Sequence, residues 1–140
     1  MAKRVYLALL ELESKAHGQA YVEAGYKLSD DPPTWIQPDV SFLRNERALT
    51  TEDGKYFSQA PDLAVEIVSP SETATALQRK VERLLGSGSQ AVWVIYPETR
   101  SVQVHVPGGT SFARSVGDSL IAPYLLASWE LPVAALFDGD

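Results

Sequence analysis

The first fifteen residues carry apolar side chains at the spacing of an amphipathic helix. Val5, Leu9 and Leu12 follow one another at intervals of three or four positions. Residues at these intervals share one side of an α-helix, because the helix completes a turn every 3.6 residues. We therefore predict a helix from Lys3 to about Lys15, which ends before Gly18.

Two strand-like segments separated by a turn follow this helix. We predict a strand over about Gln19–Leu28, a turn around residues 31–33 and a second strand over residues 34–43. The cluster of aspartates and prolines is typical of a turn, because proline fixes one backbone dihedral and an aspartate side chain can hydrogen-bond to its own backbone. Pro38 is tolerated near the start or at an irregular point of the second strand. Residues 44–59 are polar and aperiodic, which predicts a loop with one helical turn at most.

The segment PDLAVEIVSPS has the alternation of a β-strand. Side chains point to opposite faces at successive positions, which places Leu63, Val65 and Ile67 on one face and Ala64, Glu66 and Val68 on the other. A carboxylate therefore projects from the middle of an otherwise apolar strand.

A second amphipathic helix is predicted after this strand. Its apolar stripe consists of Leu77, Val81, Leu84 and Leu85, and Lys80 falls at the edge of that stripe. Ser69 or Ser71 is the predicted N-cap, and Gly86 or Gly88 the predicted end, because hydroxyl side chains and glycine favour these positions.

The second half of the chain predicts a hairpin in the sheet. Residues 91–96 are apolar throughout, as expected for a central strand covered on both faces. A turn at residues 97–100 leads to SVQVHV, in which the valines alternate with polar residues. For the residues after Val106, we predict a hairpin or loop followed by a short closing apolar segment. Helix, three strands, helix and two strands is an α/β or α+β layer arrangement.

Composition and charge narrow the class of protein. The 140 residues are 45% hydrophobic and 21% charged, which is typical of one globular domain. Cysteine is absent, so disulfides, thiolate nucleophiles and cysteine zinc sites are excluded. No apolar run is long enough for a membrane span, and we expect a cytoplasmic protein. The net charge of −6 disfavours binding of a polyanion by bulk charge, but a divalent cation would offset the repulsion.

Asp39 and Glu66 are the candidate metal ligands. Each lies within or beside an apolar strand segment, and a buried carboxylate requires a cationic partner because its desolvation costs several kcal/mol. Carboxylate oxygens, with waters and substrate phosphate, commonly hold Mg²⁺. Lys80 adds a cation that can stabilise developing charge or position the attacking water.

Each of these residues also has a structural alternative. Asp39 follows a proline and can form an Asx turn, and Glu66 can form an ion pair with Lys80 or an arginine. Asp62 lies on the strand face of Glu66 but about 13 Å away, so we expect it to anchor the start of the strand or the loop. The histidines are expected to be structural or at the surface, and the tryptophans to pack in the core: His17, His105, Trp35, Trp93 and Trp129.

A family resemblance rests on four stretches of the sequence and on the lysine-bearing helix between the second and the third of them. The four stretches are QPDVSFL, PDLAVEIVSPS, AVWVIYPETRSVQVHV and the final LPVAALF. From about Thr34 to the C-terminus, the chain resembles the Uma-two family of restriction endonucleases, within the PD-(D/E)-x-K nuclease superfamily. The resemblance implies an α/β fold with a restriction-endonuclease-like core of helix, three strands, helix and strand. A mixed sheet and a C-terminal hairpin complete this expected fold.

The resemblance also implies roles for individual residues. Asp39 corresponds to the first acid and Glu66 to the second, with the Ile67 carbonyl as a further metal ligand. The superfamily lysine would fall at Val68, and the resembled family instead supplies it from the following helix, where Lys80 lies. Relatives also carry a hairpin before the first helix. We expect residues 1–140 to form a single domain without that hairpin.

These expectations combine into a hypothesis of a Mg²⁺- or Mn²⁺-dependent endonuclease that hydrolyses DNA. Asp39, Glu66 and Ile67 would bind the metal, and Lys80 would orient or activate the water. Arg44, Arg47 and Lys55 could contact the phosphate backbone or simply lie in a solvated loop. A homodimer is expected, because cutting two strands suits paired copies. The alternatives are a noncatalytic nuclease-fold scaffold and an RNA-directed nuclease.

Overall fold

The N-terminal apolar stripe forms the predicted helical face, but over two helices. In the computed structural model, which describes residues 1–137, these are α1 (Ala2–Leu10) and α2 (Glu13–Ala16). Val5, Leu9 and Leu12 are fully buried, as the periodicity predicts. The prediction of one continuous helix to about Lys15 is wrong, because the Leu12 amide donates a hydrogen bond to the Leu9 carbonyl, three residues back, at 3.0 Å. This tighter turn interrupts the α-helical hydrogen bonding.

The strands form one mixed sheet and two small antiparallel pairs. The strands and remaining helices are β1 (Gly18–Val22), β2 (Tyr26–Asp30), β3 (Pro33–Ile36), β4 (Val40–Arg44), β5 (Leu63–Ile67), α3 (Ala74–Gly86), β6 (Ala91–Tyr96), β7 (Ser101–Val106), β8 (Thr110–Ser115), β9 (Ser119–Ile121), β10 (Glu130–Pro132) and α4 (Ala134–Phe137). The main sheet has the order β1-β4-β5-β6-β7-β8. Among the strands of residues 1–137, only the β5–β6 pair in this sheet is parallel, with α3 as the crossover.

Each of the first two predicted strands is divided in the structure. The strand predicted over Gln19–Leu28 is wrong in its continuity: Glu23 takes a positive φ of 54°, and the chain leaves the sheet to form the β2–β3 hairpin. The strand predicted over residues 34–43 is interrupted between β3 and β4. Pro38 lies in this gap, and it has no N–H to donate to a neighbouring strand.

The second half of the chain follows the predicted pattern more closely. Helix α3 ends at Gly86, one of the two predicted positions, and β6 is buried from Ala91 to Ile95. The predicted cap at Ser69 or Ser71 is wrong, because the Thr73 hydroxyl accepts from the Ala76 amide at 3.1 Å. Thr73 stands three residues before Ala76, the distance that this capping geometry requires.

The sheet separates two hydrophobic clusters. One contains the N-terminal helices, the C-terminal segment and the β5 face of Leu63 and Val65; the other packs α3 against Ala64 of β5 and its neighbours. Glu66 shares the α3 face with Ala64, as the strand alternation predicts. Among residues 1–137, no helix is long and apolar enough to cross a membrane.

Candidate active site

Asp39 and Glu66 meet because β4 and β5 are antiparallel neighbours. Val40 pairs with Val65, so extending the register by one residue places Asp39 opposite Glu66. The start of β4 therefore lies beside the end of β5. Asp39 Oδ2 accepts a hydrogen bond of 2.7 Å from the Ile67 amide, which fixes the aspartate against the end of β5.

Glu66 is buried to 2% exposure, and its Oε1 atom has no hydrogen-bond partner. Burial raises the pKa of the Glu66 carboxyl from 4.5 to about 7, Asp39 and Glu72 add repulsion, and the Lys80 charge opposes the rise. A buried carboxylate oxygen without a partner is costly in a protein interior. This atom is thus available to a cationic ligand.

Lys80 reaches the same place from α3. Its Nζ atom lies 4.0 Å from Glu66 Oε1 and 2.8 Å from Glu72 Oε2. The hydrogen bond to Glu72 raises the pKa of the Lys80 ammonium above its ordinary value. Lys80 is therefore a charged hydrogen-bond donor next to the buried carboxylate.

Val68, two residues after Glu66, directly follows β5. The Val68 amide donates to the Ile95 carbonyl at 2.9 Å, and the Val68 side chain packs against the α3-side cluster. The ammonium near Glu66 comes from Lys80 of α3. The structure thus brings together Asp39, Glu66 and Lys80.

The two carboxylates are suited to a hard cation with an incomplete protein shell. Residues 1–137 contain no group of three or more histidine, cysteine, aspartate or glutamate side chains placed to hold a metal. Mg²⁺ is commonly held by one or two carboxylates with waters and substrate oxygens, and the open Glu66 Oε1 fits that pattern.

Asp62 has the anchoring role expected from its position. Its carboxylate accepts hydrogen bonds from the Arg44 amide at 2.8 Å and from Arg47 Nη1 at 2.7 Å. The Arg44 guanidinium contacts the Tyr124 and Leu125 carbonyls. Neither arginine is a freely solvated loop cation, because both make these internal contacts, whereas contact with the phosphate backbone stays a prediction. Lys55 is exposed, as the loop prediction implies.

The tryptophans and histidines of the chain lie outside the site formed by Asp39, Glu66 and Lys80. Trp93 and Trp129 are buried and stacked, with ring centroids 6.3 Å apart, as core packing predicts. Trp35 is 50% exposed, so its assignment to the core is wrong; it lies against Tyr56, because the β2–β3 hairpin stands outside the main sheet. His17 is exposed, and burial lowers the pKa of the half-buried His105.

Sequence reasoning missed Glu72. It lies directly before Thr73 and outside any strand or helix, where no periodicity singles it out. Its side chain is nevertheless only 14% exposed and forms the closest ion pair of Lys80. The available signal was a glutamate directly after the predicted N-cap Ser71 and eight residues before the candidate lysine.

Comparisons with known proteins agree with this architecture. Residues 2–134 match the model of the family described as "Uma2: Putative restriction endonuclease". A crystal structure described as a putative nuclease belonging to DUF820, from Anabaena variabilis, is 22% identical and has a TM-score of 0.84. That likeness covers 97% of this chain and 77% of the other, and it confirms the predicted fold. No curated protein matches the sequence. Because the family model spans nearly the whole chain, the protein belongs to the Uma2 family.

Proposed function

We propose that this protein is a divalent-metal-dependent endonuclease that hydrolyses phosphodiester bonds in DNA. The observation that carries the proposal is the buried Glu66 carboxylate, which has an unpartnered Oε1 and lies opposite Asp39 and 4.0 Å from Lys80. Membership of a family described as restriction endonucleases supports the same chemistry. Such a pair of carboxylates and a cation is what in-line phosphoryl transfer to water needs.

Asp39, Glu66 and the Ile67 carbonyl would hold Mg²⁺ or Mn²⁺. When bound, the metal supplies charge neutralisation for the phosphate and acidifies a water molecule. Asp39 is oriented for this by its bond to the Ile67 amide. Burial keeps the Glu66 carboxylate away from bulk water, which strengthens its attraction for a cation.

Lys80 would act as a hydrogen-bond donor to the attacking water or a phosphate oxygen. Its contact with Glu72 favours the charged ammonium, which has protons to donate and no lone pair with which to accept one. Orientation of the water and charge stabilisation therefore fit Lys80 better than activation of the water by proton abstraction.

A noncatalytic scaffold is the second candidate function. The net charge is −6, and Arg44 and Arg47 are engaged in internal contacts, which leaves fewer cations to attract DNA. A nuclease fold that only binds a partner would retain the Asp39–Glu66 arrangement without turnover.

Calorimetric titration with Mg²⁺ and Mn²⁺, together with cleavage of supercoiled DNA, tests the proposal on the same preparations. We expect the wild type to bind metal and nick DNA. Glu66→Ala should lose both activities, because it removes a ligand, whereas Lys80→Ala should keep metal binding and lose cleavage by at least about a hundredfold. Glu82→Ala is the matched control, since Glu82 is exposed on the same helix.

Two results would count against the endonuclease. A folded wild type that binds metal without cutting DNA or single-stranded RNA would favour the scaffold, and cleavage confined to RNA would favour the RNA-directed alternative. We also propose that two copies act together on duplex DNA. Sedimentation equilibrium should then give about twice the 15.3 kDa of one chain.

A further inference from the structure

Lys80 is shared unequally between two carboxylates. Its Nζ atom forms a hydrogen-bonded ion pair with Glu72 Oε2 at 2.8 Å, whereas Glu66 Oε1 lies at 4.0 Å, beyond hydrogen-bond range. Glu66 Oε1 is buried and has no other hydrogen-bond partner. Glu66, the more deeply buried carboxylate, therefore makes the weaker contact with the Lys80 ammonium, although desolvation alone would favour a closer contact between the two.

The backbone around Glu72 explains this preference. The Glu72 amide donates to the Ser69 carbonyl at 3.1 Å in a turn, and the next residue, Thr73, caps α3. These bonds hold Glu72 at the start of the helix, from which its carboxylate meets Lys80 two turns later. The Glu72 side chain is 14% exposed, so its charge is only partly screened by water.

We propose that Glu72 is a positioning residue that holds the Lys80 ammonium to one side of Glu66 and so keeps Glu66 Oε1 open for the metal ion. This inference rests on the proposed function, because it presupposes a metal at Asp39 and Glu66. Glu72 acts through Lys80 and is not itself a ligand.

Removal of the Glu72 charge should redirect Lys80. The nearest remaining carboxylate is then Glu66, and a movement of about an ångström would bring the two groups into a direct charge-assisted hydrogen bond. That bond would occupy the oxygen that the metal requires. The metal would have to displace the ammonium, and its affinity would fall.

A double-mutant cycle measured with Mn²⁺ by calorimetry separates this effect from direct ligation. The proteins are the wild type, Glu72→Gln, Lys80→Met and the double variant. We expect Glu72→Gln to weaken Mn²⁺ binding roughly tenfold or more when Lys80 is present. In the Lys80→Met background, the same substitution should weaken the affinity by less than about threefold, because no ammonium remains to compete and only the loss of the nearby Glu72 charge acts on the metal.

Conservative and control variants accompany the cycle. Glu72→Asp keeps the charge and should recover a large part of the affinity, which also provides a second test if Glu72→Gln does not fold. Glu82→Gln, on the exposed side of α3, should bind Mn²⁺ like the wild type. Circular dichroism of each variant confirms that the helix is intact.

Three outcomes would overturn the inference. Wild-type affinity in Glu72→Gln would show that Glu72 does not position Lys80. An equal loss with and without Lys80 would show that Glu72 acts on the metal directly, as a ligand or through its charge, and not through Lys80. Absence of Mn²⁺ binding by the folded wild type would remove the metal site and this inference together, whereas the first two outcomes leave the proposed metal site in place.

Discussion

At the scale of single residues, Glu66 is the unusual group. It is an acid at 2% exposure within an otherwise apolar strand. Among the residues that the structure describes, the cation beside it is Lys80, whose Nζ lies 4.0 Å away and is hydrogen-bonded to Glu72. A charge in such a position lowers the free energy of unfolding unless something compensates it. Residues placed for function commonly carry this kind of cost.

The cost of Glu66 should appear in the pH dependence of stability of the metal-free protein. Burial raises the Glu66 pKa from 4.5 to about 7, so between these pH values the folded protein retains a proton that the unfolded chain has released. The contribution of Glu66 to the free energy of unfolding therefore falls as the pH rises from about 4.5 to about 7. Glu66→Gln should be more stable than the wild type near pH 8, by on the order of 3 kcal/mol.

Urea unfolding in EDTA checks this prediction. Near pH 4 the two proteins should differ little, because Glu66 is then protonated in both the folded and unfolded states. Glu82→Gln, which changes an exposed glutamate of α3, should follow the wild type at both pH values. A Glu66→Gln variant that is no more stable than the wild type near pH 8 would mean that the carboxylate is well compensated without metal.

At the scale of elements, the loop between β4 and β5 is attached at its two ends. Arg44 is the last residue of β4, Asp62 precedes β5, and the Asp62 carboxylate accepts from the Arg44 amide and from Arg47. Arg47 also donates to the Ala60 carbonyl at 3.0 Å. These contacts close the loop and help to keep the two strands aligned, and their alignment brings Asp39 to Glu66.

Asp62→Ala should destabilise the protein without removing a metal ligand. It leaves the Arg47 guanidinium and the Arg44 amide without their acceptor, and we expect the free energy of unfolding to fall by about 2–4 kcal/mol. Metal affinity of the folded fraction should stay within about threefold, because Asp62 lies roughly 13 Å along the strand from Glu66. Urea unfolding and Mn²⁺ calorimetry measure the two effects, with Glu52→Ala as the exposed control. Loss of Mn²⁺ binding by folded Asp62→Ala would place Asp62 in the site.

At the scale of the whole molecule, charge opposes DNA binding. The chain carries a net charge of −6, and its Arg44 and Arg47 side chains serve the loop contacts just described. A protein with a net negative charge displaces few counterions from DNA, so counterion release adds little to its affinity for DNA. A bound divalent ion at the Asp39–Glu66 end of the sheet would change the local sign of the potential.

Binding of duplex DNA should therefore depend on divalent cations. For Lys80→Ala, which we expect not to cut, fluorescence anisotropy should show at least tenfold tighter binding in Ca²⁺ than in EDTA at the same ionic strength. The combined variant Glu66→Ala/Lys80→Ala should lose this difference. Equal affinity in Ca²⁺ and EDTA would show that metal does not recruit the DNA.

The local features of this protein follow from its amino-acid sequence alone. Apolar periodicity located β5, α3, β6 and β7 and the face on which Glu66 lies, because intervals of two and 3.6 residues follow from backbone geometry. The breaks at Glu11 and Glu23 were not predictable in this way, since they depend on how the flanking segments pack. Likewise, the pattern of residues marked Asp39, Glu66 and Lys80 as candidates but left structural roles open for the acids.

Which of these residues come into contact depends on the three-dimensional fold. The pairing of Val40 with Val65 places Asp39 opposite Glu66, and the crossover between β5 and β6 brings Lys80 and Glu72 to the same end of the sheet. The same structure commits Arg44 and Arg47 to internal contacts and exposes Trp35. These pairings join residues that are far apart in the chain. Their energies depend on burial and strand register, which cannot be read from the local spacing of residues in the sequence.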